Sequence, residues 1–141
     1  MKYAFGERLS FSQGHRQAND IATLMAMIPG CVTVTKTDKA MDRRGVDYIA
    51  ELVHGDELWI DAKARDGGCA KYWQNGPELA LEMWSVRPNG KYATSPSSAV
   101  PGWTVTDAKH VDLILFTFDP MDWNESFLMS FPLLRAAFRR N

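Results

Sequence analysis

Hydrophobic and polar positions change period several times along the chain, and each change marks an element. Ala18, Ile21, Ala22, Leu24, Met25 and Ile28 recur at spacings of three and four, which predicts an amphipathic helix over 12–28. Ser12 serves as its N-cap and Pro29-Gly30 as its stop. Residues 31–35 alternate like a strand, with Val32 and Val34 on one face and Cys31, Thr33 and Thr35 on the other. Residues 36–44 read as a polar loop. Two runs rich in strand formers, 46–53 and 57–63, flank His54-Gly55-Asp56 and predict a hairpin.

In the second half, 77–86 reads as a helix with Leu79, Leu81, Met83 and Trp84 on its apolar side and Glu78 and Glu82 one turn apart. Residues 87–102, rich in Pro, Gly and Ser, read as a loop on the rim. The run 111–118 is nearly continuous in apolar residues, as in a central strand buried on both faces. Asp119-Pro120 ends it. Residues 126–131 suit a short edge strand, and Pro132 at the first helical position starts a helix to 139 whose core face is Leu133, Leu134, Ala137 and Phe138. Helices and strands in this order predict an α/β fold.

Composition sets the scale. The 141 residues, 45% hydrophobic and 23% charged, suit a single domain over 1–141 with one sizeable core. No apolar stretch reaches the roughly 18 residues of a membrane span, and the N-terminus has no signal-peptide pattern, so the expected location is cytoplasmic. Cys31 and Cys69 fit neither a zinc spacing nor a disulfide framework and read as reduced thiols. His15, His54 and His110 are scattered, which gives no histidine metal site, and neither an NTP-binding glycine loop nor a Gly-x-Ser-x-Gly elbow occurs.

Two tripeptides carry the candidate chemistry. Gly45-Val46-Asp47 opens the first hairpin run, and Asp61-Ala62-Lys63 closes the second. In an antiparallel pair turning at Gly55, Asp47 lies across from 61–63 to within about one residue. Asp61 and Lys63 share a face with Trp59, a candidate floor, while Leu58, Ile60 and Ala62 share the other. Two carboxylates that hold Mg²⁺ or Mn²⁺ beside an ammonium near the attacking water are what metal-dependent phosphodiester hydrolysis requires.

Net charge is −1, so attraction to nucleic acid must come from distribution rather than sum. Lys36, Lys39, Arg43 and Arg44 precede Asp47, and Arg65 and Lys71 follow Lys63. Arg43, Arg44, Arg65 and Lys71 are candidate backbone contacts, and Trp73 is a candidate stacking platform for an unpaired base. The plainer alternative is a solvated loop of mixed charge and tryptophans that anchor loops.

The pair Gly45-Val46-Asp47 and Asp61-Ala62-Lys63 resembles the PD-(D/E)XK nuclease superfamily, which includes restriction endonucleases and Holliday-junction resolvases. Val46 stands where the motif's proline would be, and that proline carries no catalytic atom. The resemblance implies a restriction-endonuclease-like core, a mixed central sheet of about four to five strands flanked by helices. It implies Asp47 and Asp61 as metal ligands with the Ala62 carbonyl, Lys63 as the catalytic lysine, and an acid from the first helix. Asp20 fits that place better than Glu7, and Glu82 is the other candidate to complete the shell. The segment 77–85 and Gly102-Trp103 look like small phage or prophage members. DNA is favoured over RNA, and a homodimer is compatible with such compact nucleases. Two alternatives stand beside this: a nuclease-fold protein that has lost catalysis and binds nucleic acid or protein, for example a phage-encoded regulator or inhibitor, and an unrelated α/β domain with a chance Asp-x-Lys.

Overall fold

The structure, a computed structural model, describes residues 5–65, 84–86, 100–102, 104, 106, 109–118 and 126–140. Helix α1 spans Phe5–Met27. It begins upstream of Ser12, because Glu7, Arg8 and Leu9 are good helix formers, and Ser12 is interior rather than a cap. Gly30 ends the turn after it with φ 72, a left-handed value that suits glycine at a helix C-terminus. Strand β1 is Cys31–Lys36.

The segment expected to be a loop contains a short helix, α2, over Lys39–Arg43. Asp38 makes it possible, since its carboxylate accepts from the Met41 N–H at 2.9 Å. Strands β2 (Tyr48–Leu52) and β3 (Glu57–Arg65) form the expected hairpin. Gly55 turns it at φ +86, and its N–H donates to Leu52 O at 2.8 Å.

Trp84–Val86, expected at the end of a helix, is strand β4, antiparallel to β5 (Val100–Pro101) within the segment expected to be a rim loop. Trp84 and Val86 are aromatic and β-branched, and that preference prevails over the three-and-four spacing read from 77–86. Residues 77–83 and 87–99 lie outside the described residues. Strands β6 (Leu113–Phe118) and β7 (Ser126–Ser130) and helix α3 (Phe131–Arg140) complete the order.

Five strands form one mixed sheet in the order β1-β2-β3-β6-β7. All neighbours are antiparallel except β3 and β6, where Asp61 pairs with Ile114 and Lys63 with Phe116 in parallel. Alternation divides the core in two. Leu24 and Ile28 cover Tyr48, Ala50, Ile60 and Leu115 on one face, and Phe131 with Val46 and Val111 covers Ile114, Phe116 and Phe118 on the other. Each fully buried Val, Leu, Ile or Phe among them contributes about 1.5–3 kcal/mol of burial free energy.

The apolar face of α3 differs from the one read off the sequence: Leu133 is 73% exposed, whereas Phe131 is 1% exposed. The helix starts at Phe131, so the inward stripe at spacings of three and four runs through Phe131, Leu134 and Phe138. Among the described residues no helix is long and apolar enough to cross a membrane.

Candidate functional site

The ladder between β2 and β3 stops regularly at Tyr48 and Ile60. One step further, where Asp47 would face Asp61, the pattern changes. The Asp47 N–H donates to Ile60 O at 2.8 Å, and the Ala62 N–H donates to the Asp47 carboxylate, at Oδ2, also at 2.8 Å. A side chain thus takes the place of a ladder acceptor and fixes Asp47 against the Asp61-Ala62-Lys63 tripeptide. Thr37 secures the same corner, its N–H donating to Asp47 O at 3.0 Å.

Asp47 opens onto a cleft of about 420 Å³ whose walls are Arg16, Gln17 and Asp20 from α1, Lys36 from β1, Asp42 from α2, and Tyr48 and Ala62. Asp20 is buried rather than solvated, and the Tyr48 hydroxyl donates to its Oδ2 at 3.0 Å. Lys36 Nζ lies 3.5 Å from Asp42 Oδ1 and 3.6 Å from Asp47 Oδ1, and sits over the Tyr48 ring. Three acids and two cations, Arg16 and Lys36, therefore share one cleft.

Asp61 and Lys63 do not line that cleft. They extend from the opposite face of β3, alternating with Ile60 and Ala62 as expected. Asp61 is buried, and its Oδ2 receives two ammoniums, Lys63 at 3.0 Å and Lys109 at 2.6 Å. Lys109, just ahead of β6, was not singled out by the sequence. Its signal is a lysine two residues before the most apolar run, a place where a charge is costly unless paired.

No family model, curated protein or solved structure matches this chain. Arg43 and Arg44 are exposed at the end of α2 and do not line the cleft. Glu82, Lys71, Trp73, Cys69 and the side chains of Arg65 and His15 lie outside the described residues. Trp59 is half-buried on the Asp61 face, packed against the α3-side core rather than under the cleft.

Asp47 and Ala62 offer hard oxygen donors at the cleft, whereas Asp61 offers its oxygen from the opposite face of β3 and to two ammoniums. Among the described residues no group of three or more His, Cys, Asp or Glu side chains gathers closely enough to hold a metal by itself. A cation at Asp61 must also share or take Oδ2 from the two lysines.

Burial pushes the Asp20 carboxyl above the ordinary carboxylate range, partly opposed by the Tyr48 hydrogen bond. The hydrogen bond with Asp47, followed by burial, raises Asp42, while Lys36 pulls it down. Tyr48 is raised as well, by burial and then by the Asp20 charge. For Asp20 the native state keeps a proton that the unfolded chain gives up. The stability it contributes is present below the ordinary value of 3.8 and is lost as pH rises through the folded value. Urea unfolding of metal-free protein at successive pH steps is expected to show this fall, and Asp20→Asn, which keeps the acceptor for Tyr48, is expected to remove it. An unchanged pH slope in the variant would show that Asp20 is not its source.

Proposed function

We propose that the chain hydrolyses phosphodiester bonds in nucleic acid, DNA in preference to RNA, with Mg²⁺ or Mn²⁺ held by Asp47, Asp61 and the Ala62 carbonyl. The observation that carries this reading is the 2.8 Å bond from the Ala62 N–H to Asp47 Oδ2, which joins the first carboxylate to the Asp-x-Lys tripeptide. The helix, mixed sheet, helix arrangement supports it, as the PD-(D/E)XK resemblance implies such a core.

Within this reading the residues divide the work. Asp47 and the Ala62 carbonyl would hold the metal from the cleft, Ala62 being tied through its N–H, and Asp61 would join them only by giving up an ammonium. Lys63 turns its ammonium from Asp61 toward the attacking water and the scissile phosphate. Arg16 and Lys36 attract and orient the phosphate chain along the cleft. Asp20, held by Tyr48, adds a carboxyl from α1 beside Asp47 in the cleft. The chemistry a bound Mg²⁺ or Mn²⁺ supplies here is activation of water and neutralisation of charge on the phosphate.

A second reading has a specific observation behind it. Asp61 is already neutralised by two ammoniums, so its burial is satisfied without a metal. A nuclease-fold protein that only binds nucleic acid or protein needs no more than that. Incubation with linear, single-stranded and branched DNA in Mn²⁺ separates the two. Cleavage by wild type that disappears in folded Asp47→Ala is expected; folded wild type that neither binds Mn²⁺ nor cuts would favour the binding module.

A further inference from the structure

A second cavity lies on the α3 side of the sheet, with Trp59, Asp112, Pro132 and Arg135 among its walls. Its volume of about 390 Å³ is that of a small-ligand pocket. Two of its polar groups are fixed by the chain around them. The Trp59 N–H donates to Asp112 Oδ2 at 2.8 Å, the Asp112 N–H donates to Trp59 O at 2.8 Å, and the Phe131 N–H donates to Asp112 O at 2.9 Å. Arg135 donates through Nη1 to Thr106 O at 3.2 Å and to Lys109 O at 3.3 Å, and its guanidinium sits 5.0 Å from the centre of the Phe131 ring. Among the described residues Asp112 Oδ1 and Arg135 Nε and Nη2 have no hydrogen-bond partner, so an acceptor and a donor edge remain for a ligand. Trp59 is half-buried and Pro132 exposed, which gives the cavity two apolar walls. Glu57, on the same face of β3 as Trp59, adds an exposed carboxylate. The Lys109 ammonium is engaged with Asp61.

Flat apolar walls with hydrogen-bonding groups at the edges suit a nucleobase that has left its stack. The mix of carboxylate and guanidinium selects among the bases. Guanine offers two neighbouring donors, N1–H and the 2-amino group, to a carboxylate, and two acceptors, O6 and N7, to a guanidinium. Adenine and cytosine set a ring acceptor beside their amino group, which a carboxylate repels, and thymine has no amino group. We propose that this cavity is a subsite for an unpaired guanine, with Trp59 and Pro132 against the base, Asp112 and Glu57 on its donor edge and Arg135 on O6 and N7. The preferred nucleic acid is then single-stranded or looped and carries a guanine. This rests on the nucleic-acid half of the reading above and is independent of the metal.

The test is calorimetric titration of the metal-free full chain with dGMP, dAMP, dCMP and dTMP, and with single-stranded oligonucleotides with and without a guanine. Binding of dGMP is expected to be about tenfold or more tighter than that of the other three. Asp112→Asn keeps an acceptor for the Trp59 N–H and turns the remaining oxygen into a donor. It is expected to weaken dGMP about tenfold or more while leaving dAMP unchanged or tighter. Glu57→Gln, at an exposed position, is expected to weaken dGMP in the same direction. Equal binding of the four nucleotides, or dGMP binding unchanged in folded Asp112→Asn, overturns the proposal; if that variant does not fold, Glu57→Gln decides by the same criterion. DNA bound or cut by wild type without dGMP binding or guanine preference overturns this inference alone. Wild type that neither binds nor cuts any nucleic acid overturns the reading above and this inference with it.

Discussion

Asp61→Ala is expected to cost about 3–5 kcal/mol of unfolding free energy, because it leaves the buried Lys109 ammonium without its counter-charge. The pair is close, 2.6 Å between Nζ and Oδ2, and neither side chain can reach much water. The loss should fall mainly on the orphaned cation rather than on the missing carboxylate. Adding Lys109→Met to Asp61→Ala is therefore expected to recover part of it, and the urea midpoints of the two single variants and the double variant give the coupling. A loss below about 1 kcal/mol in Asp61→Ala would mean that Lys109 finds water or another acceptor. The practical consequence concerns activity. Alanine at this position confounds a catalytic defect with a folding one, and Asp61→Asn is the better variant for cleavage.

Under the proposed hydrolysis, Lys63→Met is expected to be the reverse case, with cleavage reduced about 100-fold or more through loss of the charge that reading directs at the phosphate. Its stability is expected to change by no more than about 1 kcal/mol. The reason lies in the division between the lysines: Lys63 is partly exposed, and Asp61 keeps Lys109 when it is gone. Methionine preserves the apolar stem at a position whose β6 register partner is Phe116. Single-turnover cleavage alongside urea unfolding checks both halves. Undiminished cleavage would remove Lys63 from the chemistry, while a large loss of stability would make it a second structural counter-charge.

The sequence was most legible where backbone periodicity alone decides. Gly55 with its neighbours set the hairpin, alternation put Asp61 opposite in facing to Ile60 and Ala62, and the apolar run from Val111 to Phe118 marked a central strand, observed over Leu113–Phe118. The errors fell where one side chain redirects a segment. Asp38 caps a helix inside a polar stretch that otherwise resembles a loop. Trp84 and Val86 occur at helical spacing yet join a strand. Starting α3 at Phe131 turns Leu133 to solvent. The acids of the site were named from their tripeptides and their hairpin, but their surroundings were not. Lys109 and Asp61 are 48 residues apart, and no local pattern links them. Tyr48 looked like an ordinary strand residue, and its bond to Asp20 spans 28 residues. Pairings of that kind belong to the tertiary packing of α1 and β6 on the sheet.

The lone parallel pairing has a kinetic meaning. Strands β1, β2 and β3 follow one another, β1 and β2 joined through the short α2 segment and β2 and β3 through a tight turn, whereas β6 reaches β3 only across the long intervening segment. Loop-closure entropy makes distant pairing slow relative to hairpin formation. On that ground the meander is expected to form before β6 docks. Until that step Asp61 keeps its hydration, and the ammonium that will replace its water arrives with the strand that closes the sheet.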